Sequence, residues 1–261
     1  MGTGKQDDVK NPLANALSTA LSTEMMDELA KDAGAGLENV RSEDMVVPFL
    51  RILQKMSPAA DDTSSSYVQG AKVGMLLETG TLALYDEAHV IPCGCRTKIV
   101  EWHPVESGGG FVAQHEVGYE LNPEFQKDGG NWVTPTGTLL VQTMYVCCLL
   151  IQHSGDPMPV VLSFTSSQLK KARTWVTRLN NKKILDPKSG KKFTPPTYEM
   201  IWKITTVPEE NDKGSWRGYK IDPLQPVDNL ELFKAARAAK IMFDRSNGNV
   251  APPAAVTPEE A

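Results

Sequence analysis

Nine basic side chains are concentrated between Gln168 and Lys192, in a segment that contains one acid, Asp186. The segment has a net charge of +8, whereas the whole chain has a net charge of −5. Dense positive charge on an acidic protein attracts polyanions, of which nucleic acid is the commonest. Trp175 and Phe193 add flat apolar surfaces on which bases can stack. The alternative explanation is a solvated, lysine-rich helix face without a ligand.

This basic segment divides into a predicted helix (166–180) and a loop (181–196). Leu169, Ala172, Val176 and Leu179 form an apolar stripe with Trp175 at its edge, and Thr165 and Gln168 match a capping box. The loop has the composition of a mobile hairpin or flap. We expect phosphate contacts from both parts, by Lys170, Lys171, Arg173, Arg178, Lys182, Lys183, Lys191 and Lys192. Because lysine predominates over arginine, these contacts favour binding without base recognition.

A second candidate cluster lies in residues 211–220. On a strand, Trp216, Gly218 and Lys220 share one face, while Arg217 and Tyr219 share the other. An indole and an ammonium group on either side of a glycine leave room for a base on the ring. The predicted binding residues here are Lys213, Trp216, Arg217, Tyr219 and Lys220, with Trp175, Trp216 and Tyr219 as the stacking groups. The alternative is an ordinary hairpin strand whose tryptophan packs in the core.

The rest of the chain predicts a β-rich domain. Seven strand-like segments are separated by turn-rich breaks: 74–85, 88–102, 111–117, 137–152, 158–165, 198–207 and 215–221. Two strong helices accompany them, the basic one and a second that starts at Asp228 and has an alanine-rich apolar face. We therefore expect a mainly β (α+β) fold, an OB-like closed or partly open antiparallel β-barrel with flexible N- and C-terminal arms.

This pattern divides the chain into three parts. Residues 1–45 form a polar arm with one amphipathic helix, residues 46–245 a single β-rich nucleic-acid-binding domain, and residues 246–261 a disordered, weakly acidic tail. The helix of the arm has an apolar residue at every fourth position: Leu13, Leu17, Leu21, Met25 and Leu29. It either packs on the domain or serves self-association or partner docking.

Several classes of function lack sequence support. The chain has no phosphate-binding loop, no nucleophile elbow and no zinc-protease motif, so we expect no enzyme, no catalytic residue and no cofactor. Its four cysteines are irregularly spaced and are interpreted as reduced core thiols, without a metal site. The longest apolar run is far shorter than a membrane span, so we expect a soluble, cytoplasmic protein without membrane contacts.

The overall layout resembles phage-type single-stranded DNA-binding proteins, which are OB-fold chains that coat replication intermediates. The similarity is carried by the arm, the β body with aromatic–lysine strands, the internal helix and the acidic C-terminus. Residues 47–54 and 214–218 also look like segments of uncharacterised phage proteins encoded among replication genes. The resemblance implies sequence-independent binding of single-stranded DNA in replication or recombination, in the cytoplasm of the host cell, with no catalysis.

The sequence is also compatible with partners other than single-stranded DNA. RNA is not excluded, and self-association and contacts with replication enzymes are further expectations. The tail departs from the resembled family because it carries only Glu259, Glu260 and the terminal carboxylate, which weakens the case for recruitment through the tail. Two other functions are compatible with the sequence: a structural virion or assembly protein with a β-sandwich body, and a strand-annealing recombination protein.

Overall fold

A computed structural model of the chain describes residues 22–33, 35–36, 38, 47–128, 130–212 and 214–250. These residues form three α-helices and thirteen β-strands, and the strands pair antiparallel. The prediction of a mainly β protein with helices is confirmed.

Helix α1 (Thr23–Lys31) lies within the predicted arm. The Ser22 side chain caps it by accepting a hydrogen bond from the Met25 N–H at 3.2 Å. Its apolar side chains are exposed: Met25, Met26 and Leu29. The earlier members of the predicted stripe, Leu13, Leu17 and Leu21, lie outside the described residues.

The strands that carry the body range from two to fifteen residues. They are β1 (Leu50–Ile52), β2 (Leu76–Glu78), β3 (Leu84–Tyr85), β4 (Ala88–Trp102), β5 (Phe111–His115), β6 (Gln126–Asp128), β7 (Asn131–Val133), β8 (Leu139–Ile151), β9 (Pro157–Phe164), β10 (Ile184–Leu185), β11 (Lys192–Phe193), β12 (Met200–Asn211) and β13 (Gly214–Pro226). Two helices accompany them, α2 (Leu169–Asn181) and α3 (Leu230–Arg245).

The largest sheet has the strand order β13-β12-β4-β8-β7-β6, with β5 added to β4 and β9 added to β8. One edge of β4 is shared, because β12 pairs with its residues 88–90 and β5 with its residues 99–102. The sheet therefore branches, and no sheet among the described residues closes into a barrel. Strands β1–β3 and the β10–β11 hairpin form two smaller sheets.

Apolar side chains fill two buried clusters that the large sheet shares with α2 and α3. One cluster includes Ala236, Ala239 and Phe243 of α3, and the other includes Ala172 and Trp175 of α2. Because α2 buries one stripe and leaves the rest in water, its basic side chains are displayed on its outer side.

Helix α3 begins at Leu230, two residues after the predicted start at Asp228. Asn229 is its N-cap, and its Oδ1 accepts hydrogen bonds from the N–H groups of Glu231 at 2.9 Å and Leu232 at 3.1 Å. The predicted alanine-rich face is the buried one, and small side chains there let the helix approach the sheet.

The cysteines are free thiols, and three of the four are buried: Cys93, Cys147 and Cys148. Burial raises the pKa of Cys147 to about 12, as expected for an inert core thiol. Among the described residues, no group of three histidine, cysteine, aspartate or glutamate side chains is placed to hold a metal ion. Within the same residues, no helix has the length and apolar character needed to cross a membrane.

The predicted tail begins at residue 246, and residues 246–250 are described. Val250 is buried, and its carbonyl accepts a hydrogen bond from Gln114. The Asn247 side chain donates to Glu116 at 3.1 Å. Residues 246–250 therefore pack on the body, because they follow α3 directly onto the sheet. Residues 251–261 lie outside the described part.

Candidate nucleic-acid interface

Helix α2 displays a basic outer side that contains no acid. Ala172 and Trp175 are buried beneath it, whereas Lys170, Arg173 and Arg178 are exposed. The positions of these three residues fall on one side of an ideal helix. The Arg173 guanidinium donates to the Gln142 side chain at 3.0 Å, a neutral partner that leaves the charge uncompensated.

The predicted capping box at the start of α2 is wrong. Thr165 precedes a 3₁₀ turn, Ser166–Gln168, and makes no side-chain capping hydrogen bond. The side-chain amide of Gln168 instead forms hydrogen bonds with residues of the large sheet. Its Nε2 donates to Glu209 at 2.8 Å, and its Oε1 accepts from the Tyr219 N–H at 3.0 Å. The residue therefore holds α2 against the β12–β13 pair.

Trp175 is not available for base stacking in this structure. It is one of the largest fully buried side chains, and its ring lies 5.7 Å from the Trp202 ring and 6.4 Å from the Phe164 ring. Ala172 and Trp175 are the buried residues of α2, so the indole faces the core although its position is at the edge of the predicted apolar stripe.

The predicted mobile loop after α2 contains a short β-hairpin. Strands β10 and β11 pair Ile184 with Phe193 and Leu185 with Lys192. The acid of the segment closes the turn: Asp186 accepts from the Ser189 hydroxyl at 2.6 Å and from the Lys188 N–H at 3.0 Å, which lowers its pKa. The hairpin exposes four lysines, which are Lys183, Lys188, Lys191 and Lys192.

Ion pairing divides the predicted phosphate-contact residues into two groups. Lys171 pairs with Glu209, and Lys182 pairs with Glu199 at 2.5 Å, so part of their charge is compensated. Within the described part of the chain, the other basic residues of the helix and hairpin form no ion pair. We call this set the basic surface: Lys170, Arg173, Arg178, Lys183, Lys188, Lys191 and Lys192.

The space that the sequence suggested above Gly218 is occupied. The carboxylate of Glu209 and the ammonium group of Lys171 fill the space that a Cβ on residue 218 would need. Trp216 is partly exposed beside them, and its indole N–H donates to Glu209 at 2.8 Å. Partial burial works to raise the pKa of Glu209, but hydrogen bonds from Lys171, Gln168 and Trp216 together lower it below its usual value.

Tyr219 is buried, and so its ring cannot receive a base without rearrangement. Its hydroxyl donates to the Leu50 carbonyl at 3.1 Å, and its ring lies 4.8 Å from the Phe164 ring. Burial raises the pKa of the phenol. The stacking role predicted for Tyr219 is therefore not supported by its position, because the residue lies on the core face of β13.

The outer edge of β13 is covered by side chains. The Gln54 side chain accepts a hydrogen bond from the Arg217 backbone N–H at 2.8 Å and donates one to the Arg217 backbone carbonyl at 2.9 Å. Further along, Arg178 of α2 donates to the Ile221 carbonyl at 3.4 Å. These contacts satisfy backbone groups that an edge strand would otherwise offer to another chain.

The two predicted clusters are thus joined in space, although they are far apart in sequence. Gln168, which precedes α2, and Lys171 and Arg178 of α2 all contact β12 or β13. Lys220 is exposed next to this junction and pairs with Asp222 at 3.2 Å. Lys213 lies outside the described residues. Sequence reasoning missed Glu209 and Gln54, because neither lies in a local pattern that marks a long-range contact.

A further polar cluster lies at the far end of β4. Glu101 accepts from Thr138 at 2.5 Å, and its other oxygen lies 2.7 Å from His115 Nε2. The Tyr119 ring stacks on the His115 imidazole with 3.7 Å between centroids. Both carboxylate oxygens of Glu101 accept or share a hydrogen bond, so the cluster joins β4 and β5 to the turn that precedes β8.

The fold and this site define a mainly β protein of antiparallel sheets with a basic helix and hairpin at its surface. The sequence profile of the Pam3 phage gp34-like protein family matches residues 16–247, and the chain belongs to this family. Membership indicates a phage protein, which agrees with the origin that the resemblance implied. No curated protein and no solved structure matches the chain.

Proposed function

We propose that this phage protein binds single-stranded DNA without sequence preference and coats replication or recombination intermediates. The observation that carries the proposal is the basic surface, where seven exposed cations have no carboxylate partner in the described part of the chain. Uncompensated cations bind phosphates favourably because the DNA releases its condensed counterions.

The chemistry of the basic surface favours backbone contacts over base recognition. Five of its residues are lysines, whose ammonium groups act as point charges and accept many phosphate geometries. Four of the lysines lie on a hairpin of two-residue strands, which gives little rigidity for reading base edges. Binding at this surface is therefore expected to be strong at low salt and indifferent to sequence.

An OB-like, partly open barrel is the finer architecture that we infer for the body. Two observations support it. Along one edge β4 pairs first with β12 and then with β5, and β8 pairs first with β7 and then with β9. The pairing of β4 with β8 also shifts register between Pro92 and Gly94. Bulges and partner exchange are the features by which antiparallel sheets curl. Three residues were predicted from the sequence to stack on bases, and of these Trp216, near the start of β13, is the one that is partly exposed.

A second candidate function is that of a structural protein that assembles with copies of itself. A strand-annealing protein that forms rings would combine such self-association with DNA binding. The exposed apolar side chains of α1, Met25, Met26 and Leu29, favour a role in self-association. Analytical ultracentrifugation separates these functions: a defined large oligomer without DNA supports assembly or annealing, whereas a monomer or dimer supports coating.

Fluorescence anisotropy tests the proposed function. A labelled dT oligonucleotide, the matched RNA and the matched duplex are titrated with the wild type at about 50 mM salt. The hairpin variant replaces Lys183, Lys188, Lys191 and Lys192 by Ala. The control variant removes the same charge outside α2 and the hairpin by replacing Lys72, Lys127, Lys234 and Lys240. We expect preference for the single strand, loss of affinity in the hairpin variant and near wild-type affinity in the control. Absence of binding by the wild type would refute the proposal.

A further inference from the structure

The β10–β11 hairpin exposes apolar side chains as well as lysines. Phe193 is 46% exposed and Leu185 is 60% exposed, although each belongs to a paired strand. Exposing an aromatic ring on a small ribbon costs free energy, because apolar surface is left in water. Such a side chain on a charged surface is a candidate for ligand contact.

Phe193 differs from the other exposed aromatic side chains in the described part of the chain, Tyr67 and Tyr119. The Tyr119 ring is already stacked on His115 at 3.7 Å. The Tyr67 hydroxyl accepts a hydrogen bond from the Gly70 N–H at 3.4 Å within its own loop. Among the described residues Phe193 has no aromatic partner, and it is the exposed aromatic residue that neighbours the basic surface.

The strand register places a cation on the same face as this ring. Phe193 is opposite Ile184, and Lys191 lies two positions before Phe193, so the three share one face of the ribbon. Leu185 and Lys192 form a cross-strand pair on the other face. On the first face, therefore, a ring with an aliphatic neighbour shares its side of the ribbon with Lys191, which has no carboxylate partner among the described residues.

We propose that this face of the hairpin is a subsite for an unpaired nucleobase. The Phe193 ring stacks on the base, and Lys191 contacts the neighbouring phosphate. Bases within a duplex are already stacked and paired, so the subsite selects single strands. The inference rests on the proposed function, because it assigns to Phe193 the base contact that Trp175 and Tyr219, which are buried, cannot make.

The test compares two oligonucleotides that differ only in their bases. Wild type, Phe193→Ala, Phe193→Trp and Leu185→Ala are titrated with labelled dT and with an abasic oligonucleotide of the same phosphate number. Base–aromatic stacking of about 1–3 kcal/mol corresponds to a change of about 5- to 150-fold in Kd. We expect Phe193→Ala to lose this factor on dT and none on the abasic strand. Phe193→Trp should retain dT affinity, and Leu185→Ala should leave both affinities unchanged.

Each other outcome identifies the step that fails. Equal losses on dT and on the abasic strand would show that Phe193 acts through the fold of the hairpin, which overturns the subsite. Unchanged dT binding by Phe193→Ala would also overturn it while leaving the proposed function intact. If the wild type binds neither oligonucleotide, the proposed function fails and the subsite fails with it.

Discussion

The salt dependence of DNA binding follows directly from the number of cations in the basic surface. Each lysine–phosphate contact with a single strand contributes about −0.7 to the slope of log K against log salt, so seven contacts give a slope of about −5. Replacing Lys183, Lys188, Lys191 and Lys192 by Ala leaves three contacts and a slope of about −2. Between about 50 and about 200 mM salt, affinity should fall by about 900-fold in the wild type and about 20-fold in the variant.

Anisotropy titrations of a labelled dT oligonucleotide at several salt concentrations measure these slopes. The control variant removes four lysines outside α2 and the hairpin: Lys72, Lys127, Lys234 and Lys240. It changes the net charge of the protein by the same amount, so it separates local phosphate contacts from the general field. We expect the control to retain the wild-type slope.

Three results would contradict the predicted phosphate contacts of the basic surface. Tight binding with a shallow slope in the wild type would mean that the cations of the basic surface do not contact phosphates. Equal slopes for the hairpin variant and the wild type would place the contacts elsewhere on the protein. A slope that falls equally in the hairpin and control variants would assign the effect to net charge.

Three further predictions concern the junction of α2 and β13. Gly218→Ala should cost no more than about 1 kcal/mol in urea unfolding, because its Cβ meets only the ends of the flexible Lys171 and Glu209 side chains and displaces their ion pair; a loss of several kcal/mol would show that these side chains cannot move aside. The pKa of Glu209 is lowered in the folded state, so its stabilising effect should be complete above pH 4.5 and be lost as pH falls through the folded-state pKa. The difference in unfolding free energy between wild type and Glu209→Gln should therefore shrink on acidification, and a constant difference would contradict this. Trp175→Ala should cost about 3–5 kcal/mol of stability and leave the dT affinity of the folded fraction unchanged, whereas lost affinity would restore a stacking role.

Local periodicity predicted most of the body because its long strands and helices each bury a continuous apolar pattern. The predicted segment 88–102 coincides with β4, and the alanine-rich stripe of α3 is the face that packs. The short strands β6 and β7 were missed, since three residues cannot establish a period, whereas β10 and β11 lie in the loop that was interpreted as a hairpin or flap. The branching of the sheet could not be predicted, because it depends on which distant strands share the edge of β4.

The site was predicted less completely than the fold. The basic segment was predicted from its charge alone, because nine cations with one acid are evident in the sequence. Burial of Trp175 and Tyr219 was not predicted, since both side chains have an apolar body and a polar group and suit either a core or a surface. The role of Gln168 was misassigned because its partners, Glu209 and Tyr219, are at least 41 residues away in sequence.

Hydrogen–deuterium exchange with and without a dT oligonucleotide locates the DNA interface without any substitution. If DNA binds at the basic surface, we expect protection of the hairpin amides in peptides that cover residues 182–194, extending to the ends of α2, at low salt. Saturated binding without protection in these peptides, or protection confined to the β4–β5 end of the sheet, would contradict it.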